Sequence, residues 1–337
     1  MVTLRDVAKA AGVSLSTASR VVNGYKNVND DTRKKVLRAI SDLNYIIYES
    51  DNLSEHIIAT VIPKSIGYNM DMYNITYRAI CGITKRCNRE KIKNMLILAD
   101  ESDLDFSSAF SESISAFIFV SSGRFEENTI IPLLIERNVP IITLNRRLDY
   151  KNISFVDIDD KSASFDAVKY LIDSGHEKIG FVSGSYGSQS TEERLDGYRS
   201  ALQSENIDCD DAYIYLCNDD SETAGCSAAA YFEKSKNMPS AFMVSSDITA
   251  RAMIREFNSL GISVPDDVSV MGFGDMENMA YHSPSLTTVR IFPEDMGEEA
   301  ADIAVKLIND KKKTAICSYM GYELCIRESV SDKRRLK

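Results

Sequence analysis

Histidine is scarce in this chain of 337 residues: only His56, His176 and His282 occur, and none stands at a spacing that holds a metal ion. The seven cysteines, at 81, 87, 209, 217, 226, 317 and 325, are odd in number and include no Cys-x-x-Cys pair. Together these absences argue against a structural zinc site and point to reduced, buried thiols. Long apolar runs are missing too, since stretches such as Ile114–Val120 and Ala241–Val244 fall far short of the ~20 residues of a membrane span. Nor does a basic and then apolar leader open the chain, because Arg5, Asp6 and Lys9 interrupt it. A cytoplasmic location with no membrane partner is expected. No Gly-Lys-Ser/Thr follows the glycines of "GFVSGSYGS", which makes Gly180, Gly184 and Gly187 turn residues rather than a phosphate loop, and a dinucleotide fingerprint is absent. Ser183 and Ser185 have no base that the sequence places beside them. No catalytic residue, cofactor or metal ligand is assigned, and the chain is read as a non-enzyme.

What the chain does have is length for two or more domains, at roughly 150 residues each, and the apolar and charged fractions of a globular protein. Its charge is uneven. Residues 1–48 carry eight Lys and Arg against four Asp, a net +4, which leaves −15 for the remainder of a total of −11. A basic head on an acidic body places nucleic-acid binding at the N-terminus.

That head is helical by pattern. Leu4, Val7, Ala8 and Ala11 share one face, with Thr3 placed to cap the helix, Asp6 at the reciprocal capping position and Gly12 to end it. Ser14 caps a second helix whose inward face is Ala18, Val21 and Val22, closed by Asn23-Gly24. Two short helices around a glycine turn make a helix-turn-helix, whose second helix enters the major groove of double-stranded DNA. Leu15, Ser16, Thr17 and Arg20 then face base edges: Arg20 for guanine, the hydroxyls for hydrogen bonds, Leu15 for a thymine methyl. Thr3, Ser14, Ser19, Asn23, Asn29 and Thr32 are assigned to phosphates, which set register. A third helix follows a cap at Asn29, with Val36, Ile40 and Leu43 inward and Arg33, Lys34, Lys35 and Arg38 outward. The plainer reading of the same pattern is a small helical bundle with a solvated basic face.

The residues decide between these. "LRDVAKAAGVSLSTASRVVNG" followed by "VNDDTRKKVLRAISDLNY" resembles the headpiece of the lactose/galactose repressor family of bacterial transcription regulators. Further matches are "LIDSGHEKIGFVSG", "EERLDGY", "SSDITA", "GISVPDDVSVMGFGD" and "PSLTTV". By that resemblance Leu15, Ser16 and Arg20 read bases.

Beyond residue 56, short strand-like runs alternate with helical stretches, which indicates parallel sheet. The resemblance implies a two-lobed, periplasmic-binding-protein-like α/β body, crossed near Val156–Asp159, Leu286–Arg290 and Cys317–Met320. The expected division is a headpiece at 1–48, a short atypical hinge at 49–56, and an effector-binding and dimerisation body at 57–330. In that body lobe 1 takes 57–157 and 289–317, lobe 2 takes 158–288 and 318–330, and 331–337 is a basic tail whose Lys333–Lys337 run is expected to be disordered. Ligands in such folds sit at the carboxyl ends of strands. Arg146, Arg194 and Asp275 fall at such places, although an arginine beside a strand end is commonly a surface ion pair. The resemblance supports Arg194 in Arg-x-x-Gly-Tyr, then Arg146, and adds Ser246 and Asp247 of "SSDITA" as cleft positions. Tyr73, with Tyr68 and Tyr77 as alternatives, supplies a stacking ring. Gly274 stands where the family carries a ligand-contacting acid, which disfavours an ordinary sugar. His176, after a helix end, is expected to meet the last carbonyls.

The hinge also departs from the family. Ile47 and Tyr48 replace Pro-Asn, Leu53 is the sole candidate for a minor-groove wedge, and Glu49, Asp51 and Glu55 oppose nearby phosphates. Weak hinge readout is expected. The leading reading is a homodimeric, sequence-specific repressor of a pseudo-palindromic operator, controlled by a small-molecule effector of sugar or related class. A solute receptor of transport type, and a regulator answering to a nucleoside or a protein co-repressor, stand as alternatives.

Overall fold

A computed structural model describes residues 4–22, 28–43, 56–63, 70–99, 114–120, 130–184, 187–218, 221–277, 279–309 and 314–336. The chain divides into two compact units, residues 1–56 with 90–93, and the remainder.

In the first unit three helices, α1 (Leu4–Ala11), α2 (Leu15–Val22) and α3 (Asp30–Asp42), enclose a small core of Val7, Ala8, Ala18, Val21, Val36, Ala39 and Ile40. Every position named as inward on α2 and α3 packs in or against this core. The turn is built as its sequence requires. Gly12 adopts φ +66°, a conformation that costs a residue with a Cβ, and the Val13 amide donates to Ala8 O while the Gly12 amide donates to Lys9 O. Ser14 Oγ then accepts from the Thr17 amide at 3.1 Å, and Asn29 Oδ1 accepts from the Thr32 amide at 2.8 Å, so both caps form. The Thr3 cap, Asn23 and the hinge with Leu53 lie outside the described residues.

The second unit holds two six-stranded sheets. The first contains β1 (Ile57–Pro63), β2 (Lys93–Ala99), β3 (Ile114–Val120), β4 (Ile141–Leu144), β5 (Ser154–Ile158) and β11 (Cys317–Met320), in the order β11-β5-β4-β3-β1-β2. The second contains β6 (Ile179–Ser183), β7 (Ile214–Leu216), β8 (Ala241–Val244), β9 (Ser269–Gly274), β10 (Thr287–Arg290) and β12 (Glu323–Cys325), in the order β12-β10-β9-β8-β6-β7. Pairing is parallel at β1/β3, β3/β4, β4/β5 and β5/β11, and again at β6/β7, β6/β8, β8/β9 and β9/β10; β12 runs antiparallel to its neighbour β10. Helices α4 (Met70–Arg89), α5 (Ile130–Glu136), α6 (Asp160–Asp173), α7 (Gln189–Ser204), α8 (Glu222–Glu233), α9 (Asp247–Ser259) and α10 (Pro293–Asn309) connect them. Fully buried strands read as apolar runs because both faces are covered, as in "AFMV" of β8; "IITL" of β4 is broken only by Thr143, whose hydroxyl donates to Arg146 O.

The lobe boundaries shift slightly from expectation. β10 pairs wholly within the second sheet and β11 wholly within the first, so the second and third crossings fall after Arg290 and after Met320. Helix α10 returns to the first lobe and crosses α4 at glycines: a Cβ on Gly297 would lie 2.0 Å from Ala79 O, and one on Gly82 would lie 1.9 Å from Glu294 O. The second lobe centres on Phe232, Phe242 and Phe257, with ring centroids 4.7 and 5.7 Å apart.

Two expectations are corrected at the C-terminus. The segment called a disordered tail is ordered through a short 3-10 turn, Lys333–Leu336, because the Lys333 amide donates to Ser174 O at 2.8 Å and Lys333 Nζ to Asp266 O at 2.7 Å. The His176 amide donates to Leu171 O at the end of α6, but its ring does not serve those carbonyls. It is buried, with Nδ1 2.9 Å from Ser240 Oγ and Nε2 3.2 Å from Ser331 O, and so pins the same segment. Burial lowers its pKa, which keeps the ring neutral.

Candidate DNA-reading face and effector cleft

On the first unit, packing of Ala18 and Val21 turns the opposite face of α2 outward. Leu15 is 44% exposed and Ser16 and Arg20 are exposed, while Thr17 and Ser19 are partly covered. An apolar side chain left in water at the first turn of a short helix, beside a hydroxyl and one helical turn from a guanidinium, offers the mixed chemistry of base-edge contact. Ser14 Oγ also lies 2.9 Å from Ser16 Oγ and 2.8 Å from Thr17 Oγ1, so the three hydroxyls form a small network that orients the helix start. Lys34, Lys35 and Arg38 on α3 are exposed and Arg33 is partly covered.

In the second unit the carboxyl ends of β4, β5, β8, β9 and β10 carry a dense set of ionic side chains. Arg194, on α7, donates from Nε to Asp160 Oδ1 at 2.7 Å and from Nη1 to Ser245 O at 2.7 Å, with its guanidinium carbon 3.7 Å from the Phe273 ring centre. Asp160 is buried, and burial pushes its pKa up against the pull of Arg194. Its neighbour Asp157 is driven to about 7 by burial and by the charge of Asp160. Asp159, at the start of α6, goes the other way, because its carboxylate accepts the Ser162 hydroxyl and amide.

Arg147 spans the cleft. From the loop after β4 in the first lobe, its Nη2 meets Glu193 of α7 in the second lobe, its Nη1 donates to Tyr319 Oη at 2.7 Å, and its amide donates to Gln189 Oε1 at 3.0 Å. Its Nε is buried and 3.5 Å from Asp157 Oδ2, without forming a hydrogen bond. Arg146 is partly exposed, and its carbonyl accepts from Thr143 Oγ1 at 2.6 Å.

Two acids expected to face a ligand are otherwise engaged. Asp247 is fully buried: Oδ1 accepts from Thr288 Oγ1 at 2.6 Å and Oδ2 from the Met276 amide at 2.9 Å, while burial raises its pKa to about 6. Asp275, held at φ +50°, accepts from Arg290 Nε and from Arg327 Nη2, each at 2.7 Å. Burial pushes the Asp275 carboxyl up, but the two arginines outweigh it and hold its pKa below the usual carboxylate range. The physical reason is the same for both: each carboxylate ties a strand end to the crossing segments. Ser246 is buried at the start of α9, and the side chain of Tyr73 lies outside the described residues.

Sequence reasoning missed Arg147, Glu193, Asp157, Asp160, Phe273 and Tyr319. The doubled arginine in "LNRRL" and the acids of "VDIDD" at the end of β5 were the available signals.

A helix-turn-helix unit joined to a two-lobed α/β body with a polar cleft defines a ligand-responsive DNA-binding regulator. Residues 3–47 match the description "Bacterial regulatory proteins, lacI family", and residues 168–330 match "Periplasmic binding protein-like domain". The chain is 30% identical over 335 residues to catabolite control protein A of Priestia megaterium, covering 97% of this chain and 99% of that one. It is 29% identical over 338 residues to the HTH-type transcriptional repressor PurR of Photobacterium profundum, covering 98% and 99%. The solved complex of the transcriptional regulator CelR with cellobiose superposes with a TM-score of 0.72 at 25% identity, covering 98% of this chain and all of that one. The chain belongs to the lacI family of bacterial transcription regulators.

Proposed function

We propose that this chain is a cytoplasmic, homodimeric repressor of a pseudo-palindromic operator, without catalytic activity, and that a small metabolite held between its lobes sets operator affinity. Leu15, Ser16, Thr17 and Arg20 read bases; Thr3, Ser14, Ser19, Asn23, Asn29 and Thr32 meet phosphates. The observation that carries this is the exposure of Leu15, Ser16 and Arg20 on the side of α2 opposite its buried Ala18 and Val21. Two-fold symmetry puts the half-site centres about one helical turn apart.

The effector is held by Arg194, Arg146, Ser246 and Tyr73, with Arg147 closing the two lobes over it. Asp247 and Asp275 serve as structural carboxylates beneath the cleft. The relative bound to cellobiose supports a saccharide-class effector. Coupling is reciprocal, so the effector changes operator affinity by the factor by which operator changes effector affinity. Division into a headpiece at 1–48, a hinge at 49–56 and a body from 57 fits this role. The acidic hinge contributes little: Leu53→Ala is expected to lower operator affinity by less than about tenfold, and a larger loss with loss of DNA bending assigns it a wedge. Titrating labelled operator with the full chain tests the whole reading. Specific binding that a bound metabolite alters supports it, and binding indifferent to every bound metabolite removes the effector.

A further inference from the structure

Ser14 Oγ, at the start of α2, has three hydrogen-bond neighbours and cannot treat them alike. It accepts from the Thr17 amide at 3.1 Å, and it lies 2.9 Å from Ser16 Oγ and 2.8 Å from Thr17 Oγ1. A serine hydroxyl has one proton and two acceptor lone pairs. The amide uses one lone pair, which leaves one lone pair and one proton for two neighbouring hydroxyls. Both are satisfied only when one donates to Ser14 and the other receives its proton. The three hydroxyls are therefore ordered as a set and do not rotate independently.

Exposure and direction decide the order. Ser14 and Ser16 are exposed, and Thr17 is partly covered. The amide and hydroxyl of Thr17 reach Ser14 Oγ from one residue, and so from nearly one side, whereas the two lone pairs of that oxygen diverge. Ser16 is the better placed to fill the second lone pair. A DNA phosphate only accepts, so when α2 docks and Ser14 meets one, the phosphate takes the Ser14 proton. Ser14 then has no proton for Ser16, and Ser16 keeps its own turned inward. Only lone pairs of Ser16 remain for a base edge, where the donors in the major groove are the exocyclic amines of adenine and cytosine.

We propose that Ser14 is a positioning residue for base choice: with its own proton on a phosphate it draws the Ser16 proton inward, so that Ser16 meets the base edge as an acceptor and selects adenine N6 or cytosine N4. The proposal rests on the reading of α2 as the DNA-reading helix and adds to it the polarity of one contact. A phosphate contact, which by itself carries no sequence information, thereby acts on sequence through a neighbouring hydroxyl. Without the Ser14 hydroxyl, Ser16 rotates freely and serves donor and acceptor bases alike.

The test uses the full chain and the operator it selects. The base pair read by Ser16 is found as the one at which Ser16→Ala loses discrimination. At that pair the amine is deleted, with purine for adenine or 2-pyrimidinone for cytosine, and in a second duplex the purine N7 is deleted by 7-deaza substitution. Deleting the amine is expected to weaken binding by the parent about five- to tenfold, and by Ser16→Ala less than about twofold. Ser14→Gly removes the hydroxyl but retains most of the capping preference, and its response is expected to fall below about twofold; Ser14→Thr, which restores a hydroxyl, is expected to respond as the parent does. Loss of a merely structural cap would weaken every duplex equally and leave the amine dependence in place. An amine deletion that the parent tolerates, sensitivity to N7 alone, no base pair altered by Ser16→Ala, or equal amine dependence in Ser14→Gly overturns the proposal. If the parent selects no operator at all, the reading of α2 on which the proposal rests fails with it.

Discussion

Arg194 and Asp160 form the most deeply set ion pair of the cleft, with Nε 2.7 Å from Oδ1 and side-chain exposures of 17% and 5%. Phe273 lies against the same guanidinium, so the cation is fixed in plane as well as in distance. This rigid pair joins α7 to the start of α6, and Nη2 is the guanidinium nitrogen outside these two bonds. Arg194→Ala strands a buried carboxyl and is expected to destabilise the chain by about 3 kcal/mol, whereas the double variant Arg194→Ala with Asp160→Ala costs less than the sum of the single changes. Denaturant unfolding of the four proteins of the cycle measures the coupling, and additive costs would show that the pair is not coupled.

Base reading and phosphate contact separate by their salt dependence. Arg20→Ala is expected to cost about 1–3 kcal/mol of operator binding and to relax discrimination at one base step. Lys35→Ala, on the exposed face of α3, is expected to weaken specific and non-specific DNA alike and to reduce the salt slope by about one. Fluorescence anisotropy across a salt series distinguishes the two, and identical slopes for both variants would contradict the assignment.

The headpiece turn is maintained by small local terms. Ser14→Ala removes the acceptor of the Thr17 amide, and Gly12→Ala places a Cβ on a backbone at φ +66°. Each is expected to cost about 1 kcal/mol of headpiece stability. Hydrogen exchange of residues 4–43 within the full chain reads that loss directly, with protection in the second unit unchanged.

Three titratable groups give the protein a composite pH dependence whose signs differ. Asp157 moves from an ordinary 3.8 to about 7, so the native state holds its proton more tightly than the unfolded chain, and the stability it contributes below pH 4 is lost as pH rises to 7. Asp247 acts likewise between 3.8 and about 6. His176 acts in reverse: its pKa is lowered from 6.5, and its contribution is lost as pH falls through that range. Asp157→Asn deletes one component alone. The stability difference between variant and parent is therefore expected to move in the variant's favour by at least about 1 kcal/mol between pH 5 and 7.5, read from urea midpoints. A constant difference would mean that Asp157 ionises normally.

The headpiece was legible almost residue by residue, because its signals are local: a glycine at φ +66°, caps at Ser14 and Asn29, and apolar spacing on helices of eight to thirteen residues. The α/β alternation was legible for the same reason. Helices α4 and α8 are harder to read, because "MDMYNITYRAICGITKRCNR" and "ETAGCSAAAYFE" place Gly82 and Gly225 where periodicity is sought; those glycines serve close helix crossings instead. Cleft chemistry was the least legible part. Asp247 and Asp275 occupy suitable positions at strand ends, but whether a carboxylate meets ligand or protein depends on partners far away in sequence, Thr288 and Arg290 here. Arg147 went unnamed beside Arg146 because two adjacent arginines differ only in which way the loop turns them.

Everything proposed for this chain depends on sequence-specific operator binding. The most direct test is selection of bound fragments from genomic DNA at a fixed salt concentration, followed by sequencing. A pseudo-palindrome with half-site centres about one helical turn apart is expected, lost in Arg20→Ala. Fragments no more enriched than random DNA would contradict it.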